Sequence, residues 1–236
     1  MKRENGKTID KKDTRKYYSA YDERYKTVHE RGVRWSSNVC TPIVMEIINR
    51  CSINKNHNLL EIGCGEGRDS RILLEEGFNL LATDISKEAI NYCKKTFSDY
   101  ENCFSVLDCL SDSLDVKYDF IFGISVIHML VVDEDRRGFY KFIYDHLCDD
   151  GFALICTMGD GITEMKSDIN TAFDLQERNH ESGKITVAAT SCRMVSFPTF
   201  LDEIENANLK VVEKGITSSL PDFNNLMYAV VRKNSF

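Results

Sequence analysis

A short apolar run, Asn58 to Ile62, breaks into Gly63-Cys64-Gly65-Glu66-Gly67, and this junction narrows the possible folds more than any other feature of the chain. Glycines there permit a tight turn and a close approach of backbone to ligand at the end of a buried strand. Downstream, apolar periodicity alternates between strand and helix. A helix is expected over Asp69 to Glu76, stopped by Gly77, then a strand over Phe78 to Thr83. Ser86 can cap the next helix, on which Ala89, Ile90, Cys93 and Phe97 share a face. Further strands are expected at Phe104–Leu107, Tyr118–Ile124 and Phe152–Thr157, with a helix carrying Phe139, Phe142, Ile143 and Leu147 and ending near Gly151. Past Pro198 come a helix, Thr199 to Ala207, and two strands, Leu209–Glu213 and Leu226–Val231, which with no helix between them suggest an antiparallel hairpin at one sheet edge.

Near-continuous hydrophobic strands alternating with helices imply a parallel sheet covered on both faces. The expected fold is therefore α/β: a doubly wound, Rossmann-like sheet of about seven strands, mostly parallel, with an antiparallel last strand. The 236 residues hold only three prolines, and no Gly/Ser/Pro-rich linker divides them. We read 1–236 as a single domain, with an N-terminal helical arm or lid over 1–40 and a cap insertion over 159–192. That insertion includes a helix expected around Ile169 to Gln176.

Composition bounds the partners. No segment offers the roughly 20 apolar residues that span a bilayer, and Met1 to Lys16 lacks the apolar core of a signal peptide. A cytoplasmic protein is expected. Nine scattered cysteines have no CxxC pair, which suits reduced thiols and gives no metal site. The net charge of −7 argues against a nucleic-acid partner.

The glycine spacing distinguishes nucleotide-type ligands. A dinucleotide turn is G-x-G-x-x-G, with pyrophosphate at a helix N-terminus. Here the third glycine comes one residue early, and Glu61 and Glu66 flank the turn, where they would repel phosphate. S-adenosylmethionine has no phosphate and carries a positive sulfonium and α-amino group, which suit Glu61. Asp84, about twenty residues on, can accept from both ribose hydroxyls. Asp108, at the next strand end, can take a bond from an adenine amino group. Each acid alone also reads as a cap or loop residue; the three together, at successive strand ends, favour a nucleoside.

Glu61 to Asp69, Leu81 to Ser86, Asp108, and Asp119 to His128 resemble the successive motifs of class I S-adenosylmethionine-dependent methyltransferases, over roughly Asn58 to Thr157. Gly67-Arg68-Asp69-Ser70 is similar to small-molecule members of the tellurite and thiopurine methyltransferase type. The resemblance implies that Glu61, Gly63, Cys64 and Gly65 contact the methionine half. It implies Asp84 and Ile85 at ribose and adenine edges, Asp108 and Cys109 at adenine, and the Gly123 backbone at the amino group. Gly123-Ile124-Ser125 stands where the family often has an acid or amide used in base chemistry, which argues against methylation of nucleic-acid amines.

On the acceptor side, His128 follows the fourth strand and has an ordinary pKa of about 6.5, suited to a base; it reads equally as a helix-start histidine. Asp160 points into the cleft or is a plain turn aspartate. Tyr18, Tyr21, Tyr25 and Val28 share a helical face ahead of Trp35. This face is a docked amphipathic helix, or a lid whose Tyr25 and Trp35 rings cover the sulfonium. Glu177, Arg178, His180 and Arg193 are candidates to bind a polar or acidic acceptor. The expected function is methyl transfer to a small molecule. The rivals are an RNA or protein methyltransferase, a non-catalytic cofactor-binding module, and a NAD-dependent reductase, the last disfavoured by the glycine spacing.

Overall fold

A computed structural model describes residues 15–217 and 225–234. The first fourteen residues of the expected arm, and 218–224 in the loop between the last two strands, lie outside the described residues. Strands β1 (Asn58–Ile62), β2 (Asn79–Asp84), β3 (Phe104–Val106), β4 (Tyr118–Ile124) and β5 (Leu147–Met158) alternate with helices. After α1 (Ala20–Glu30) and α2 (Pro42–Arg50) come α3 (Arg68–Glu75), α4 (Lys87–Thr96) and α5 (Asp133–His146). Short pairs β6 (Met165–Lys166) with β9 (Arg193–Met194), and β7 (Leu175–His180) with β8 (Gly183–Ala188), stand outside the main sheet. The chain closes with α6 (Phe197–Asn206), β10 (Leu209–Thr217) and β11 (Leu226–Lys233).

The main sheet runs β3-β2-β1-β4-β5-β11-β10, with β1 to β5 parallel and β11 antiparallel to both its neighbours. Seven strands, mostly parallel with an antiparallel last strand, are as the residue pattern predicts. The final hairpin folds so that β11 inserts beside β5, leaving β10 at the edge. Alternation along β4 explains why both faces are covered: Ile121 joins Phe139, Ile143, Phe200 and Ile204 of α5 and α6. Phe120 and Phe122 point the other way, to Ile47, Leu73 and Ile90 of α2, α3 and α4. Strand order reverses between β1 and β4, the place where such sheets open a crevice beyond their carboxyl ends.

Side-chain caps mark the starts of α4 and α6. Ser86 Oγ accepts from Ala89 N and Ser196 Oγ from Thr199 N, so both hydroxyls cap helices. Asp133, Glu134 and Asp135 occupy the first turn of α5, where the helix dipole favours them.

Two expectations need correction. No helix covers Ile169 to Gln176: a three-residue 3-10 turn, Ile169–Thr171, leads into the β7–β8 hairpin. Ile185 and Val187 bury against Val28 of α1, so β-branched residues of β8 recruit the polar β7 to complete a hairpin. The helix carrying Phe139 also ends at His146, and Gly151 lies inside β5. A Cβ there would come about 3.0 Å from Asp119 O and 3.1 Å from Cys148 O, so this glycine serves a close backbone approach instead of a helix end.

Candidate functional site

The crevice at the carboxyl ends of β1 and β4 is built on the glycine turn. Gly63 N and Cys64 N both donate to Thr83 O, at 2.7 and 2.8 Å, locking the turn to the end of β2. Gly63 and Gly65 have φ of +75° and +53°. A Cβ on Gly63 would lie 2.3 Å from Val126 Cγ2, and one on Gly65 2.7 Å from the Tyr25 hydroxyl. Only glycine meets both the backbone angle and the space. Beside the turn is a cavity of about 50 Å³, lined by Gly63, Asp84, Ile85, Asp108 and Cys109 together with apolar residues such as Leu107, Val126, Met129 and Leu130.

Asp84 and Asp108 line the cavity, and a third carboxyl, Glu61, lies close by. Glu61 is buried, 2% exposed, behind the turn, where it accepts from the Ser70 hydroxyl. Burial and neighbouring Asp69 push its pKa well up. Asp84 accepts from Gly65 N and Ser86 N, both at 2.8 Å. Burial outweighs those two bonds and raises its pKa to about 6. Asp108 accepts from Leu110 N at 2.9 Å, and its other oxygen from Lys16 Nζ at 2.6 Å and the Tyr18 hydroxyl at 3.3 Å.

The Asp84 state has a consequence for pH. A carboxyl whose folded pKa lies above its unfolded value holds an extra proton in the fold, so its contribution to stability falls as pH rises between the two values. For Asp84 that window runs from 3.8 to about 6. The melting temperature of the parent should fall relative to Asp84→Asn across this window; a difference that does not change with pH would refute the assignment.

The arm lies over the crevice. The Tyr17 hydroxyl donates to Asp135 at 2.6 Å and accepts from Val131 N at 3.0 Å. Asp22 accepts from Ser86 Oγ and Glu88 N at the start of α4. Tyr25 is buried on Gly65, and His29 bridges Glu66 at 2.9 Å and Glu88 at 3.0 Å. Glu66 also accepts from Trp35 N, Ser36 N and Ser36 Oγ. Burial alone would raise the Glu66 pKa, but His29 and these donors bring it below the ordinary value. Thr41 donates through both N and Oγ1 to Asp69. Glu66 is thus the anchor of the arm, a role that its place inside the glycine turn gave no reason to expect. Lys16 and Asp22 also escaped the sequence reading, because their partners lie 92 and 64 residues away.

The expected residues divide into three sets. Gly63, Asp84, Ile85, Asp108 and Cys109 line the cavity, and Glu61, Cys64, Gly65 and Tyr25 form or cover the turn next to it. Gly123 is not among the residues that line the cavity: it sits next to the end of β4, paired with Ile155, where a Cβ would meet Phe139 and Ile62 O. The Trp35 ring stacks on His180 and lies under Arg24, between arm and hairpin instead of over the cavity. Asp160 is exposed in a turn of its own, accepting from Ile162 N and Thr163 N, because a short carboxylate finds these local donors first. His128 is buried in the turn Ile127–Met129, and burial with nearby Arg136 lowers its pKa to about 4. The imidazole is therefore neutral near pH 7, well below the basicity of an ordinary histidine. Glu177 pairs with Lys184, His180 with Arg34 O, and Arg193 with Val131 O and Asp133.

A family model described as a methyltransferase domain matches residues 60–153. Ribosomal RNA small subunit methyltransferase A of Streptococcus thermophilus is 34% identical over 62 residues, 26% of this chain and 21% of that protein. The chain therefore spans about a fifth of that curated relative. Among solved structures, the CcbJ methyltransferase from Streptomyces caelestis superposes with a TM-score of 0.68 at 12% identity, covering 92% of this chain and 99% of the other. The Burkholderia thailandensis 1,6-didemethyltoxoflavin-N1-methyltransferase, with bound 1,6-didemethyltoxoflavin and S-adenosylhomocysteine, gives a TM-score of 0.63 at 14% identity over 82% of this chain and 77% of that one. At such identities the likeness is one of fold. No helix among the described residues is long and apolar enough to cross a membrane.

Proposed function

We propose that this chain is a class I S-adenosylmethionine-dependent methyltransferase, a reading its domain match and its fold support, and that it transfers a methyl group to a small-molecule acceptor in the cytoplasm. The observation that carries the acceptor class is the covered crevice. Lys16, Tyr18 and Tyr25 close over strand ends where a polymer substrate would need open access, and the remaining cavity is mostly apolar. Its volume, about 50 Å³, is far below the roughly 300–1,000 Å³ of a ligand site, so the arm must shift to admit ligands. The Burkholderia thailandensis enzyme, named for N1-methylation of 1,6-didemethyltoxoflavin, is in keeping with this reading.

The residues suit the cofactor. Gly63 and Gly65, where a methyl group would collide, would let the methionine half approach the backbone. Asp84 and Ile85 would hold the ribose, and Asp108 and Cys109 the adenine, once Lys16 releases Asp108. When bound, the cofactor supplies an electrophilic methyl group. The protein's own part is to exclude water and align the acceptor. The arm does the first. His128, neutral under its low pKa, serves the second as a hydrogen-bonding group beside the acceptor. Asp160, turned to solvent, has no catalytic part.

Calorimetry should show binding of S-adenosylmethionine and S-adenosylhomocysteine and none of NAD. With labelled cofactor and a cell extract, the label should enter the small-molecule fraction. Label in RNA or protein instead would favour the rival acceptors, and NAD binding alone would sink the proposal.

A further inference from the structure

Among the described residues, the buried hydroxyls of Ser125 and Thr157 have no hydrogen-bond partner. The Nε atoms of Arg34 and Arg68 share that condition, but their guanidinium groups lie 4.0 Å from Glu66 and 3.2 Å from Asp69. The two hydroxyls have no such charge to answer them. A buried polar atom without a partner is unfavourable, and native folds keep few of them.

Their places coincide. Ser125 follows the last residue of β4, and its N donates to Cys156 O at 2.9 Å, which sets it beside Thr157 at the carboxyl end of β5. Alternation along β5 puts Thr157 on the face of Ala153 and Ile155, the face on which Val126, Ile127 and Leu130 pack. Val126 in turn touches Gly63 and lines the cavity with Met129 and Leu130. Ser125 also has a φ of +59°, a left-handed conformation that is strained for a residue with a side chain. Arg136 faces this turn, donating to Ile127 O and Leu130 O, and is paired with Glu203; Arg193 donates to Val131 O just beyond it.

We propose that Ser125 and Thr157 hydrogen-bond an uncharged hydroxyl or carboxamide group of the methyl acceptor, and so select neutral polar acceptors. The assignment rests on the methyltransferase reading above. Two hydroxyls can each donate and accept, which matches a group that does both and offers a carboxylate or an ammonium no counter-charge. A strained turn and two unanswered hydroxyls at neighbouring strand ends are kept because a ligand completes them.

The test uses Thr157→Val, which keeps the shape, and Ser125→Ala. Both variants should melt at or above the parent temperature and bind S-adenosylhomocysteine as the parent does. Both should transfer labelled methyl groups to the small-molecule extract fraction about tenfold or more slowly. A lowered melting temperature in both would mean that the hydroxyls serve the fold, and transfer at the parent rate would mean that they do not touch the acceptor; either result overturns the assignment. A parent that binds the cofactor product yet labels no small molecule would fell the proposed function and this inference with it, whereas active variants fell the inference alone.

Discussion

Deleting residues 1–35 should reduce single-turnover methyl transfer by about 100-fold or more and leave a remainder that still melts cooperatively. The reason lies in how the apolar contacts are divided. Ala20 packs with Ala172 and Ala188, and Val28 with Ile185 and Val187, in two small clusters apart from those that hold the sheet, against which the arm sets the half-buried Tyr18. The sheet can therefore stand without the arm. The crevice cannot stay closed: Tyr25 would leave Gly65, Lys16 and Tyr18 would leave Asp108, and Glu66 would lose His29 and the Trp35 N–H. Water would then reach the transfer site. Hairpin β7–β8 should become sensitive to protease, since Ile185 and Val187 lose their cover. Normal turnover in the truncated protein would remove the lid from the mechanism, and loss of cooperative melting would make the arm a part of the fold.

Asp84→Ala should weaken cofactor binding by about 1–3 kcal/mol, the range for losing a charged hydrogen-bond partner, or roughly 5- to 150-fold in affinity. From its place at a strand end this carboxylate would seem dispensable to the fold, but it does more: it accepts from Gly65 N and Ser86 N, so it ties the glycine turn to the start of α4. The alanine variant should also melt at a lower temperature, because two buried N–H groups lose their acceptor. Asp84→Asn keeps one carbonyl oxygen and should fall between parent and alanine in stability. Calorimetry with S-adenosylhomocysteine separates the effects. An alanine variant that melts lower yet binds as tightly as the parent would refute the ribose assignment and leave the turn-locking role.

Much of the sheet was legible because its strands are buried on both faces, which forces runs such as Tyr118–Ile124 to be almost wholly apolar, and β4 has those bounds. The glycine turn was legible for a similar reason: φ values of +75° and +53° with no room for a Cβ admit one residue type. Hairpin β7–β8 was not, because Leu175–His180 is polar and exposed and takes its strand form from a partner, not from its own pattern. Gly151 misled for a related reason. A glycine needed for close packing against Asp119 O looks the same in a sequence as one that ends a helix.

The sequence by itself determined the parallel sheet, its glycine turn and the three acids at successive strand ends, since each is a local demand of burial or backbone angle on the residues that meet it. Only the tertiary structure decided that β11 inserts between β5 and β10, that Glu66 anchors the arm, that Lys16 reaches Asp108, and that His128 is held neutral while Asp160 faces solvent. These outcomes depend on which groups share a buried space, and that depends on contacts between residues far apart in the chain, which no local pattern records.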